Sequence, residues 1–139
     1  MGTPYKLLQL ALAVFGVIML LLYPLALVWP SGWLWHAGSP HYSQYFMMIV
    51  GIYGTLGLFL LNAARNPQSH LSLIWFAIWS SVVHAGIMTV QTFSGKQHEW
   101  SHLWGDIPAL LLVAIVLAAL VLSAGLKQPV LDRTGTATG

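Results

Sequence analysis

Residues His70 to Asp106 read HLSLIWFAIWSSVVHAGIMTVQTFSGKQHEWSHLWGD. The first two thirds are apolar enough to cross a bilayer, and the remainder is a polar loop. About 20 consecutive apolar residues span the hydrocarbon core as a helix, so Leu71 to Phe93 predicts a membrane span. It is the most polar of its kind here, punctuated by Ser72, Ser80, Ser81, His84, Thr89 and Gln91.

Three further runs flank it. Leu7 to Trp29 carries no charge; it is too long for a signal-peptide core, and no small-x-small pattern follows it, so a retained span is expected. Pro24 removes a backbone donor and frees the Leu20 carbonyl, which predicts a kink. Tyr45 to Ala64 is the second span, with Gly51, Gly54 and Gly57 at a spacing of three. Such small residues predict a ridge for close helix packing in lipid. A turn, RNPQS from Arg65 to Ser69, follows, with Asn66 or Ser69 available to cap the next helix. A fourth span covers 107–126, with Asp106 as its N-cap and Pro108 in its first turn. Residues 127–139, rich in Thr and Gly, are expected to be a disordered tail. The fold class expected is therefore all-α, an integral membrane four-helix bundle forming one domain over residues 1–126, with spans at 7–29, 45–64, 71–93 and 107–126.

Composition agrees. Of 139 residues, 58% are apolar and only 6% charged, whereas soluble domains carry about 25% charged residues. With no cysteine, disulfides, thiolate metal sites and iron–sulfur clusters are excluded. The five Lys and Arg are scattered singly, with no stripe to track phosphates, so nucleic acid is not an expected partner. Lys6, Arg65, Lys127 and Arg133 fall on one side of a four-span topology and Lys96 on the other. The positive-inside rule then puts both termini in the cytoplasm. The outer side collects Trp29, Trp33, Trp35, Trp100 and Trp104, with His36, His41, His98 and His102. Trp at this level suits the headgroup layer.

Chemistry concentrates near that outer side. His84 lies within the third span, about 13 Å from its outer end; an ionisable group at such depth marks either a site or an interhelical hydrogen bond. Ser80 and Ser81 are one turn away, and Asp106 can approach from the next helix. These residues and His102 form a candidate ligand-binding pocket. His98-Glu99-Trp100-Ser101-His102 matches H-E-x-x-H, in which two histidines one turn apart hold zinc and the glutamate acts as base. Against a peptidase, the segment is a short loop between Gly95 and Gly105, and the span after it offers no third ligand. A metal reading would instead use His98 and His102 with Asp106, or with His36 or His41 across the outer face, as third ligand to zinc or copper; Glu99 would be catalytic only in a hydrolase. His70, His84 and His98 are each fourteen residues apart, a spacing also found between paired haem ligands in di-haem cytochrome b helices. Each haem needs a second axial ligand, which would have to be Met19, Met47, Met48 or a second subunit.

The stretches PSGWLW (30–35), GIYGTLGLFLLNAARNP (51–67), HLSLIWFAIWSSVVHAGIM (70–88) and HLWGDIPAL (102–110) together resemble a family of small uncharacterised bacterial four-span membrane proteins over about residues 7–122. By size and topology alone, the chain is also similar to the DoxX-type group. The resemblance implies no established activity. It implies that His70, His84, His102 and Asp106 belong to the pattern, with Glu99 incidental. The expectation is a non-catalytic protein that binds a small apolar ligand, a lipid or a partner subunit between its helices, as a homo-oligomer or part of a larger membrane complex. The alternative is a metal-binding membrane enzyme or redox subunit.

Overall fold

The computed structural model describes residues 2–29, 40–94 and 103–127. Among them the chain is all helical: α1 (Thr3–Leu20), α2 (Leu22–Val28), α3 (Gln44–Arg65), α4 (Leu71–Ser94) and α5 (Asp106–Ser123), with 3-10 turns at Pro40–Tyr42 and Pro67–His70. The candidate anchors Trp33, Trp35 and Trp100, the residues His36, His98, Glu99 and His102, and the tail after Lys127 lie outside the described residues.

Four helices are long and apolar enough to cross a membrane, and they form a bundle. Each buries only a narrow stripe. Leu8, Leu12, Met19, Leu60, Ile74, Leu117 and Val121 pack inside, while Leu10, Ile52, Phe76, Trp79, Ile115 and Leu122 point outward. Apolar surface on this scale is stable only where the surroundings are themselves apolar.

The first span is broken at Leu21, between α1 and α2. Pro24 accounts for the position, because its ring displaces the carbonyl four residues back, that of Leu20. Bonding resumes at once: the Leu25 N–H donates to Leu21 O at 2.9 Å. Upstream, the helix runs back to Thr3, with Pro4 in its first turn, where a missing donor costs nothing.

Around the bundle, α1 packs along α3, α5 packs along α4, and α1 also meets α5, whereas α3 and α4 touch sparsely. The α1–α3 crossing is made by two glycines. A Cβ on Gly57 would stand 2.7 Å from Gly16 O, and one on Gly16 would stand 2.9 Å from Gly57 O. The other two glycines of the expected ridge take no part, since Gly51 and Gly54 have nothing within 4 Å.

At one end of the bundle, Gln9 Nε2 donates to Ala64 O at 2.9 Å and to Arg65 O at 3.3 Å. It thereby satisfies carbonyls that a helix C-terminus leaves open. Gln68 Nε2 donates to Lys127 O at 2.9 Å at the same end. The Asn66 side chain does not cap the following turn; its amide donates to Ser69 Oγ at 2.8 Å, and Asn66 instead takes the C-cap position of α3. At the other end, Ser43 Oγ accepts from the Phe46 N–H and starts α3.

Candidate functional site

An imidazole inside a span needs a polar partner from a neighbouring helix, and a buried phenol has the same need. In this bundle the two needs meet. Tyr53 Oη, midway along α3, and His84 Nδ1, midway along α4, are hydrogen-bonded at 2.5 Å. The hydroxyl donates when Nδ1 is bare, and the ring N–H donates in the other tautomer. The two rings are tilted by 38°, with centroids 5.9 Å apart.

Asp106 completes the group. It is the first residue of α5, and Gly105 rather than Asp106 takes the N-cap position. Asp106 Oδ1 accepts from the Ile107 N–H at 3.1 Å, and the residue is only 7% exposed. Its carboxylate sits at the helix end that favours negative charge. It is also near enough to act electrostatically on both Tyr53 and His84. Its depth follows from packing: Met88, one turn beyond His84, shares a buried cluster with Ile107 and Leu110.

These three side chains edge a cavity of about 90 Å³ lined by residues of α1, α2, α3, α4 and α5. The rest of its lining is hydrocarbon or aromatic, including Phe15, Ile18, Met19, Phe46, Ile49 and Val113. One water needs about 10–15 Å³ on this measure, so the chamber holds several small groups. A second cavity, about 420 Å³, lies between α3 and α4 and is lined by Tyr45, Ile52, Thr55, Phe59, Phe76 and Ser80 among others. Tyr53 and His84, with Ile49 one turn from Tyr53, line both cavities. The hydrogen-bonded pair is thus a partition between them.

The expected pocket residues divide. His84 and Asp106 come together at the chamber. Ser80 lies in the α3–α4 groove with His84, where its Oγ donates to Ala77 O at 3.2 Å. Ser81 is buried and lines neither cavity. His36, His98, Glu99 and His102 lie outside the described residues, so of the expected metal set only His41 and Asp106 are described. Among the described residues, no three His, Asp or Glu side chains are grouped to hold a metal ion. His70, at the far end of α4, faces Asn62 Nδ2 at 3.4 Å. Met47 and Met48 are exposed, whereas Met19 lines the chamber.

Tyr53 is the site residue that sequence reasoning does not single out. A signal was available: His84 requires a partner at its own depth, and Tyr53 and Thr55 are the hydroxyl side chains midway along α3.

The profile of one protein family, described as a family of unknown function (DUF6632), matches residues 2–139. No curated protein and no solved structure matches the chain.

Proposed function

The chain belongs to that family of unknown function, and from this premise we propose that it is a non-catalytic, multi-pass protein of a bacterial inner membrane that holds a small amphipathic ligand in its chamber. The apolar body of the ligand would lie among Phe15, Met19 and Val113. Its polar head would exchange hydrogen bonds with His84, Tyr53 and Asp106. The observation that carries this reading is the chamber itself: an apolar cavity with one polar edge, the usual form of a small-molecule site. The sequence adds His102 as a candidate for the same polar rim.

The proposed orientation has both termini in the cytoplasm. In support, the contacts of Gln9 with Ala64 and of Gln68 with Lys127 bring Lys6, Arg65 and Lys127 to one end of the bundle. Cytoplasmic loops carry such a basic excess. The chamber's polar edge then lies nearer the outer face.

Native mass spectrometry of protein extracted from membranes in mild detergent tests the reading. We expect a co-purifying adduct on the wild type that is lost in Ala109→Trp, which fills the chamber from α5. A wild type without adduct would sink the proposal. Stoichiometric zinc or copper lost in His102→Ala would favour the alternative, a metal centre on His98, His102 and Asp106. A Soret band would favour haem.

A further inference from the structure

We propose that the groove between α3 and α4 is a side entrance through which a membrane-dissolved lipophile passes, tail first, from the hydrocarbon layer into the chamber, with the Tyr53–His84 hydrogen bond as its latch. This rests on the chamber being a ligand site.

Four observations converge on the groove. Its depth comes first. Tyr53 stands nine residues into α3 and His84 thirteen into α4, or about 13 and 20 Å from the helix starts at 1.5 Å per residue. At that level a bilayer offers only acyl chains. Next, α3 and α4 are joined by a short turn yet touch sparsely, so the seam between them is the open one. Third, the groove's outer walls are exposed and apolar, with Ile52 at 67% and Phe76 at 61%. Fourth, groove and chamber share Tyr53 and His84, with Ile49 as the one apolar residue common to both. An apolar wall would separate them at no polar cost, whereas a buried polar pair in lipid must keep its bond made. A ligand head able to accept or donate hydrogen bonds can replace that bond once the tail has entered, so the loaded state leaves neither group stranded. The occupant is accordingly an acyl or isoprenoid-like tail carrying a hydrogen-bonding head.

The test reconstitutes the full chain in phosphatidylethanolamine–phosphatidylglycerol vesicles containing a diazirine-bearing fatty acid and maps adducts by mass spectrometry after illumination. In the wild type, adducts are expected on the buried chamber residues Met19 and Leu110 and on the outward-facing Ile115 and Leu122. Ser80→Trp and Thr55→Trp plug the groove from opposite walls. Each should abolish the Met19 and Leu110 adducts and leave those on Ile115 and Leu122. Tyr53→Phe, which removes the latch, should increase chamber labelling. Thermal unfolding of each variant identifies any that fails to fold, and the opposite plug then decides. Chamber adducts unchanged by a folded plug would overturn the entrance while sparing the chamber. Chamber adducts missing from every protein, Tyr53→Phe included, would overturn the chamber reading and the entrance with it.

Discussion

His84 could be singled out from the sequence because an imidazole in an apolar span is costly wherever it points. Tyr53 was the harder one, because tyrosine in a membrane sequence usually marks the headgroup level; its place in the middle of span 45–64 gives its depth, but only packing selects it over Thr55 as the partner of His84. Asp106 was legible as a helix-start residue, one position away from its cap. Ser80 and Ser81 differ only by their place around α4, which sends one to the groove and the other into the packing. At this scale the prediction concerns the Tyr53–His84 bond. Hydrogen bonds between membrane helices average about 0.6 kcal/mol, because the unfolded chain in lipid also finds partners. Tyr53→Phe keeps the ring and removes the hydroxyl, so the bundle should lose about 0.6 kcal/mol in reversible unfolding in mixed micelles. His84→Leu should lose a similar amount, and the double variant little more than either single one. Strictly additive losses would mean that the two side chains do not act as a pair.

At the scale of the helix, the four spans were legible because length and apolar content are enough to identify them. Which face of each helix is used was not. Gly51, Gly54 and Gly57 recur every third residue, but successive positions fall about 60° short of a full turn. The three glycines therefore fan out over α3 rather than forming a single ridge. Only the one at the crossing with α1 meets another backbone. The glycines should consequently respond in opposite ways to the same change. Gly57→Ala pushes a Cβ against Gly16 O and should destabilise by about 1–3 kcal/mol, as overpacking does. Gly54→Ala enters open space within a helix and should be neutral or stabilising by about 0.4–1 kcal/mol. Equal effects at both positions, measured by unfolding in the same micelles, would displace the crossing from where the structure has it. The break at Leu21 was better signalled, since a proline acts on a carbonyl at a fixed distance along the chain and depends on no neighbour.

For the molecule as a whole, class and helix number followed from composition, but the order of helices around the bundle did not, because it depends on which narrow stripes meet. Orientation rests on a handful of cations and is open to direct measurement. The chain contains no cysteine, so single substitutions report without background. A membrane-impermeant maleimide applied to intact spheroplasts should modify Tyr42→Cys. It should modify Thr3→Cys and Lys127→Cys only after permeabilisation. The reverse pattern would turn the topology over and place the polar edge of the chamber on the cytoplasmic side. The pairing of α1 with α3 and of α4 with α5 also bears on biogenesis. The first hairpin can lock at its two glycines as soon as Arg65 has left the insertion machinery, before the second hairpin has been synthesised. The chamber has walls from both, so it is closed only by the final docking event, and a lipid trapped at that moment would be carried as cargo from birth.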